Sequence, residues 1–575
     1  MESTEEVASG RPSVEADPRP TIEPDQTPPG QPEGGLNAES SPKPATAVPD
    51  STSPGSQPSI SGPEPVPSSP SSQPPARGGR IVVGGLGRPD TLDPLSAESE
   101  ASRALIPLLF DSLLAHDPDS GQLIPHLAED WTVAGDSRSI TFTLQTDARW
   151  HDGQPVVADD VIFTFELARD PARDSLYGPA LKYVSDISAP GDRTAVISLD
   201  EAHCPSLAAL GELPIVPRHL LDQTDLAATS FDKVPVGSGP FVFVESTPEG
   251  EVHLARNDDY WGGAPYLDAW SYRPFENAGD LQRAVESEQI DVALMPPGYL
   301  PSSTDPAGAL SVYRYPAPEF LFVAFNNDHP VLGDPKVRLA LSMAVDREPV
   351  LDQALAGGGD LIAGSLPSAH SAADPDLRPP DYDPEGARQL LAEAGWTDSD
   401  GGGWLDRDGE RLSLPVRTNG GNQLREDLAT LVASYYRAIG VDAPVELVIW
   451  GAVVDDLFTH DFDTIVFSWP LSAEPDQSRW WLSTEDEIGS AYNFGSFANE
   501  SVDRLLQEAV TVPSCDAASR AGLYRQVQDA LAQERPYDFL LIPYAALLAR
   551  PDLRGLGVGT FSGPFDSATD WYIQP

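Results

Sequence analysis

Residues 320–325, Phe-Leu-Phe-Val-Ala-Phe, and residues 334–344, Asp-Pro-Lys-Val-Arg-Leu-Ala-Leu-Ser-Met-Ala, place a buried strand shortly before a helix. Six consecutive apolar residues have the length of a buried strand and are far too few to span a bilayer. Asp334 is a favourable N-cap, and Pro335 suits the first helical position because its missing N–H is not needed there. Val337, Leu341 and Ala344 then share one face. A strand that leads into a helix predicts an α/β fold.

The same patterns recur on both sides of this stretch. A second Asp-Pro start, Asp383-Pro384, precedes an apolar stripe that ends at Gly395, a suitable C-terminal cap. Residues 140–145 alternate apolar and polar side chains, as in a strand with one buried face. Further strands are predicted at 81–83 and 241–244, and further helices after Asn499 and over residues 428–440. About 500 residues of this kind predict two or three lobes.

The first 80 residues have a different composition. They contain 18 of the 59 prolines and no Phe, Trp or Tyr. Such a segment cannot bury enough apolar surface to offset its ordering entropy, so a disordered Pro-rich tail is predicted. It could be a tether or a tail without a function.

The chain is strongly acidic, with a net charge of -53 and only four lysines. Nucleic acid is therefore excluded as a partner, because neutralising phosphates needs a basic surface. An acidic surface that is poor in lysine suits high salt, but codon bias would explain the same composition. Cys204 and Cys515 form no metal-binding pattern, and either a disulfide or two buried thiols fits the sequence.

Common catalytic motifs are absent from the sequence. None of the four lysines follows a glycine, which excludes a P-loop, and neither GxSxG nor HExxH occurs. A calcium loop starting at Asp398 would need Asp or Asn at its fifth position and Glu at its twelfth, where the sequence has Gly402 and Gly409. A Gly-rich hairpin is favoured there, with calcium as the minor alternative. We therefore predict no catalytic residue, no metal site, no cofactor and no enzymatic activity.

A series of short motifs follows one family's order along nearly all of residues 80–575. The motifs are the leucine-rich segment Leu108–Leu114, Pro125-His-Leu-Ala-Glu-Asp-Trp131, Trp150-His-Asp-Gly-Gln-Pro155, Pro235-Val-Gly-Ser-Gly-Pro240, Arg256-Asn-Asp-Asp-Tyr-Trp-Gly-Gly263, Tyr382-Asp-Pro-Glu385 and Asp461-Phe-Asp463. In this order they resemble the bacterial extracellular solute-binding proteins of the oligopeptide, dipeptide and nickel family (family 5), which serve ABC importers. The resemblance implies that Leu108–Leu114 belong to a helix and that Gly237 and Gly239 allow a tight turn at a lobe crossover.

The resemblance also implies the architecture. We expect a two-lobed periplasmic-binding-protein-like clamp of class II with an extra inserted subdomain, preceded by the disordered tail. The expected divisions are 1–80 for the tail, 81–112, 236–323 and 544–575 for lobe I, 113–235 for the inserted lobe II, and 324–543 for lobe III. Two short crossovers would act as a hinge, and closure around a ligand would be read by the permease.

Ligand-lining residues are also implied by the resemblance. In the family this segment follows the Asp-Phe-Asp strand and here runs from Phe467 to Asp476. The residues expected to line the ligand site are Trp450, Ser468, Trp469, Pro470, Ser472, Glu474 and Tyr177. Core packing is the alternative explanation for each aromatic side chain.

Two departures from the family pattern concern the ligand. Peptide binders usually carry an Asp shortly after the Trp that corresponds to Trp469, and it pairs with the peptide's α-ammonium group. Leu471 and Ser472 stand there instead, and Pro470 removes a backbone N–H. Glu474 or Asp476 could substitute. The expected ligand is an oligopeptide or another small polar solute.

Two other functions stay open at this point. A solute-sensing receptor of the same fold, uncoupled from transport, is the main alternative, and a hydrolase on this scaffold is another. The importer hypothesis predicts a monomer that works outside the cytoplasmic membrane with an ABC permease and ATPase. The acidic start Met-Glu-Ser-Thr-Glu-Glu has no apolar signal region, so we expect a signal and a lipid-anchor cysteine upstream of Met1.

Overall fold

The computed structural model describes residues 75–173, 175–222, 231, 233–299 and 310–574. The predicted disordered tail therefore lies outside the described residues, except for residues 75–80. Gly78 and Gly79 donate their backbone N–H groups to Tyr266 O at 2.8 Å and to the Asp268 carboxylate at 3.1 Å.

The first part of the chain forms a short helix beside a strand and then a separate small sheet. Its elements are β1 (Arg80–Leu86), α1 (Glu100–Leu109), β2 (Leu114–His116), β3 (Leu123–Pro125), β4 (Ala128–Val133), β5 (Ser139–Leu144), α2 (Ala158–Arg169), β6 (Val184–Gly191), β7 (Thr194–Leu199), α3 (Pro205–Gly211) and α4 (Arg218–Leu221). Strands β4, β5, β7 and β6 form an antiparallel sheet in that order.

The chain then returns to the sheet that contains β1. The elements that follow are β8 (Phe241–Ser246), β9 (Val252–Arg256), β10 (Ala269–Phe275), α5 (Ala278–Glu286), β11 (Val292–Met295) and β12 (Ser311–Pro316). Strand β1 pairs in parallel with β10 on one side and β11 on the other.

The last part of the chain is rich in helices. Its elements are β13 (Glu319–Phe325), α6 (Pro335–Met343), α7 (Arg347–Leu355), β14 (Gly359–Leu361), α8 (Pro384–Glu393), β15 (Asp406–Arg407), β16 (Glu410–Arg411), β17 (Val416–Asn419), α9 (Gln423–Ala438), β18 (Val445–Val448), α10 (Trp450–Thr459), β19 (Thr464–Pro470), α11 (Ser478–Trp481), α12 (Glu500–Val510), α13 (Ala517–Glu534), β20 (Tyr537–Ala549), β21 (Leu553–Arg554) and β22 (Tyr572–Ile573).

Two bodies can be distinguished by their buried cores. In the N-terminal body, residues 81–317 pack with residues 545–571. In the C-terminal body, residues 320–542 form two further clusters, one on each side of β13. This mixed α/β arrangement confirms the predicted fold class.

Two adjacent chain segments connect the bodies. Residues 317–318 join β12 to β13, and β20 runs through both bodies, pairing with β13 and β14 at one end and with β11 and β12 at the other. Ala317 N–H donates to Pro543 O at 2.8 Å, so the two crossovers lie side by side. The lobe boundaries predicted from the sequence stay a prediction, and residue 323 lies within β13.

The helix caps predicted from the sequence are confirmed. The Asp334 carboxylate accepts a hydrogen bond from Lys336 N–H and the Asp383 carboxylate accepts one from Gly386 N–H, while Asn499 caps α12. Gly395 has a φ of 90°, in the left-handed region that glycine favours. The stretch after Asp398 forms the β15–β16 hairpin, and within the described ranges no three His, Cys, Asp or Glu side chains are placed to hold a metal ion.

One expectation about a motif near residue 110 was wrong. The leucine-rich helix ends at Leu109, because Phe110 is extended and the Asp111 carboxylate accepts hydrogen bonds from Tyr260 Oη at 3.0 Å and Trp261 Nε1 at 2.9 Å. Gly237 gives the backbone room to pass the end of α1, since a Cβ there would lie 1.7 Å from Leu109 O. Among the described residues, no helix combines the length and apolar character needed to cross a membrane.

Candidate ligand-binding cleft

An open pocket, whose empty space of about 460 Å³ includes open solvent, lies where the crossovers leave the N-terminal body. Pro318 and Ala545 belong to the two crossovers, and the other lining residues lie in the N-terminal body. They are Leu86, Glu100, Ala101, Tyr272, Leu294, Met295, Pro296, Pro297 and Tyr315. The pocket is therefore mostly apolar, with one carboxylate and two phenols on its walls.

The predicted ligand-lining segment starts at the edge of this pocket. Leu471 N–H donates to Pro318 O at 2.8 Å, and Glu319 lies opposite Pro470 in the antiparallel β13–β19 pair. The C-terminal end of β19 is thereby held against the crossover residue Pro318, which lines the pocket.

Arg425 is a buried cation that contacts β19. Its guanidinium group donates to Asn419 Oδ1 at 2.9 Å and to Ser468 Oγ at 2.6 Å, and it lies 3.9 Å from the Glu319 carboxylate. The ring of Phe467 lies 4.7 Å from it. Asn422 caps α9 and so places Arg425 in the first helical turn. The sequence prediction missed this residue, although a basic side chain in a first turn runs against the helix dipole and could have drawn notice.

The two predicted tryptophans are brought together around Phe467. Each ring lies 5.8 Å from the Phe467 ring, with Trp450 stacked and Trp469 edge-on. Trp450 is the first residue of α10, is half-buried, and lies 5.8 Å from the Arg425 guanidinium.

Trp469 has different surroundings. Only 8% of its surface is exposed, and its indole stacks on Trp480 and on Phe494, each at 5.2 Å. It belongs to an aromatic core that also contains Phe322 at 6.1 Å. Most of its surface is therefore used in packing.

The remaining predicted residues of the segment differ in exposure. Ser468 is buried and bonded to Arg425, whereas Pro470 and Ser472 are exposed. Glu474 pairs with Arg520 at 2.5 Å, and both side chains are largely buried. Glu474 could therefore bind a ligand ammonium group only by giving up this ion pair.

Asp476 is also engaged. Burial raises the pKa of its carboxyl group, and this outweighs a hydrogen bond from the Ser478 hydroxyl at 2.6 Å, which lowers the pKa. The two acidic groups named as substitutes for the missing family Asp thus both have partners within the C-terminal body.

Tyr177 is not brought to the tryptophans. It packs against the core of the N-terminal body, in a segment tied to that body where Ser175 Oγ donates to Leu95 O at 2.9 Å. Burial raises the pKa of Tyr177 to about 12, so the phenol is protonated near neutral pH.

Glu100, which the sequence prediction also missed, is the first residue of α1 and lines the pocket. Burial raises the pKa of its carboxyl group, the charge of Arg103 lowers it, and the charge of Glu319 raises it. The charges of the Glu100 and Glu319 carboxylates therefore repel each other across the junction of the two bodies. The candidate site combines two acidic groups, one guanidinium group and aromatic surface.

Comparisons with known proteins identify the family. The model of "Bacterial extracellular solute-binding proteins, family 5 Middle" matches residues 122–490. The oligopeptide-binding protein AppA of Bacillus subtilis is 29% identical over 490 residues, which cover 84% of this chain and 89% of AppA. Protein XP55 of Streptomyces lividans is 32% identical over 464 residues, covering 80% of this chain and 83% of XP55.

Two solved structures are similar to this chain over most of its length. AppA from Bacillus subtilis in complex with a nonapeptide has a TM-score of 0.67 at 27% identity and covers 87% of this chain and 100% of its own. NikZ from Campylobacter jejuni in complex with Ni(L-His) has a TM-score of 0.70 at 25% identity and covers 86% of this chain and 99% of its own. The predicted solute-binding function is confirmed, and the sensing alternative is not favoured. The chain belongs to the bacterial extracellular solute-binding proteins of family 5, the substrate-binding subunits of ABC importers.

Proposed function

We propose that this chain captures a short peptide in the cleft between its two bodies and delivers it to an ABC permease and ATPase. The observation that carries the proposal is the pocket at the crossovers, with the end of β19 held beside it. Arg425, Trp450 and Ser468 are proposed to form the wall that the C-terminal body contributes. Two bodies joined by two adjacent segments can rotate about them, and a ligand drives closure when it binds the closed form more tightly.

A peptide matches the charges of this site. A guanidinium group suits a carboxylate, so Arg425 is proposed to attract the peptide's carboxylate terminus. Glu100, on the opposite wall, is proposed to attract the ammonium terminus, in place of the family Asp that this chain lacks. The exposed Pro470 has no N–H to pair with a peptide backbone, so recognition is expected to depend on the termini more than on strand pairing.

The similarity to AppA, whose solved structure holds a nonapeptide, supports a peptide ligand. The similarity to NikZ, solved with Ni(L-His), makes a metal chelate the competing outcome of the test. We further propose that the chain acts as a monomer outside the cytoplasmic membrane, without catalysing a reaction. Multi-angle light scattering during size-exclusion chromatography tests the monomer, and a dimer mass would contradict it.

A thermal-shift series separates these ligands. Tri-alanine, its N-acetylated form, its C-terminal amide, Ni(II)–L-histidine and maltose are compared at equal concentrations. Free tri-alanine should raise the Tm most, because either capping group removes one charged terminus. Stabilisation by Ni(II)–L-histidine or maltose without any by tri-alanine would contradict the peptide proposal.

The role of Arg425 is tested by Arg425→Met, with Arg411→Met as the matched control on the exposed β16 strand. Loss of a hydrogen bond to a charged group costs about 1.5–3 kcal/mol, so affinity for tri-alanine should fall about 10- to 100-fold in Arg425→Met. Affinity for the tri-alanine amide should change much less. An equal loss for both peptides would contradict the assignment of the carboxylate to Arg425.

A further inference from the structure

A disulfide joins the two bodies. Cys204 caps α3 in the N-terminal body, and Cys515 lies in the turn between α12 and α13 in the C-terminal body, 311 residues away. This resolves the choice that the sequence left open, in favour of a disulfide. Because α3 packs in the core of the N-terminal body and α12 and α13 pack in a core of the C-terminal body, the bond restrains how the bodies move and not only how each one folds.

Hydrogen bonds surround this bond. Cys204 N–H donates to Val510 O at 2.7 Å, and Ser137 Oγ donates to Val512 O at 2.8 Å. Ser137 follows β4 in the four-stranded sheet of the N-terminal body, while Val510 and Val512 lie at the end of α12. The disulfide thus lies within an interface between the bodies.

A second contact between the bodies involves the β2–β3 turn. Ser371 N–H of the C-terminal body donates to Ser120 O at 3.2 Å, and the His370 ring lies 5.3 Å from that of Phe561. Arg525 holds the same loop by donating to Ser371 O at 2.8 Å. Within the described residues, the bodies therefore touch at these two places besides the crossovers, among others, as expected of a closed clamp.

The disulfide lies on elements that take no part in the crossovers. Residues 317–318 and 543–544 are adjacent, so a rotation of one body against the other passes through them. A third covalent connection at Cys204 and Cys515 limits that rotation, because the two sulfur atoms cannot separate while the bond is intact.

We propose that the Cys204–Cys515 disulfide is a latch that keeps the two bodies closed or nearly closed. With the latch intact, solute exchanges through a partial opening. A dithiol reduces the bond by giving it two electrons and two protons, and the dithiol itself becomes a disulfide. Cys204 and Cys515 are then two separate thiols, and the bodies are free to open. Cys515 is half-buried, so a small reductant can reach the bond. The consequence for solute exchange rests on the proposed function, but the restraint on opening does not.

Small-angle X-ray scattering without any ligand tests the latch. The radius of gyration of the oxidised chain should be smaller than that of the Cys204→Ser/Cys515→Ser double variant. Wild type that is reduced with dithiothreitol and alkylated should match the double variant, which provides a test without mutation. The double variant should not respond to dithiothreitol. Identical scattering of the oxidised, reduced and double-variant chains would overturn the proposal.

Thiol counting under denaturing conditions tests the bond itself. Protein oxidised in air should give no free thiol, and two should appear after reduction. Two free thiols before reduction would overturn the latch. None of these measurements uses a peptide, so failure of the latch and failure of peptide binding are told apart.

Discussion

Replacing Trp469 with alanine tests whether this residue serves the core or the ligand. The structure shows an indole that is 8% exposed and stacked on two aromatic rings. Truncating a buried Trp to Ala costs about 3–5 kcal/mol. Trp450 is half-buried, with one stacked ring and one guanidinium neighbour, so Trp450→Ala should cost about 1–2 kcal/mol.

Urea unfolding followed by far-UV circular dichroism measures these costs. Trp404→Ala is the matched control, because Trp404 lies next to the β15–β16 hairpin with Arg411 above its ring, away from the cleft. It should lower the unfolding free energy by less than about 1 kcal/mol. Calorimetry on the folded variants measures the binding of tri-alanine. For each kcal/mol of unfolding free energy lost, Trp450→Ala should weaken this binding more than Trp469→Ala does.

The opposite pattern would refute this reasoning. If Trp469→Ala unfolds at the wild-type urea concentration but no longer binds tri-alanine, the indole is a ligand contact and its stacking in the core contributes little. If Trp450→Ala binds normally, the proposed cleft wall is wrong at that residue.

Three further predictions concern the scaffold. Arg347→Met should destabilise the C-terminal body by about 3–5 kcal/mol in urea unfolding, because it removes the cation that pairs with the fully buried Asp538 carboxylate. The added change Asp538→Leu should restore most of the lost stability, and a double variant as unstable as Arg347→Met would contradict this explanation. Burial lowers the pKa of His116, but its contact with Glu212 raises the pKa overall. The contact therefore stabilises the fold fully below about pH 6.5, and this stabilisation is lost as the pH rises through the raised pKa. The urea midpoint of the wild type should therefore fall above pH 6.5, and it should fall less in His116→Gln. An equal fall in both proteins would exclude a stabilising contact between His116 and Glu212. Gly237→Ala should lower the Tm strongly, since its Cβ would overlap a carbonyl at the end of α1, and a wild-type Tm would refute the close approach.

The features that could be predicted from the sequence are local. The caps at Asp334, Asp383 and Asn499 depend on a side chain and backbone groups two or three residues away, and all three form. The period of two in β5 likewise marks which face is buried. Such signals need no knowledge of the rest of the chain.

The features that could not be predicted depend on distant segments meeting. Gly237 looked like a turn residue because its close neighbour, the Leu109 carbonyl, is 128 positions earlier. The packing of Trp469 could not be predicted either, because the sequence does not reveal that Trp480 and Phe494 fold onto it. Arg425 has no motif of its own, and apart from its unusual place in a first helical turn, its partner Ser468 is known only once β19 lies beside α9.

Strand β20 is a place where a rotation of the two bodies can be measured. Its thirteen residues supply hydrogen bonds to the sheets of both bodies, so it must twist whenever the bodies rotate. Pro543 stands near its middle and has no N–H to donate, which makes that point the most easily deformed part of the strand. Deuterium uptake at the amides on either side of this proline should therefore register opening and closing directly, whichever solute fills the cleft.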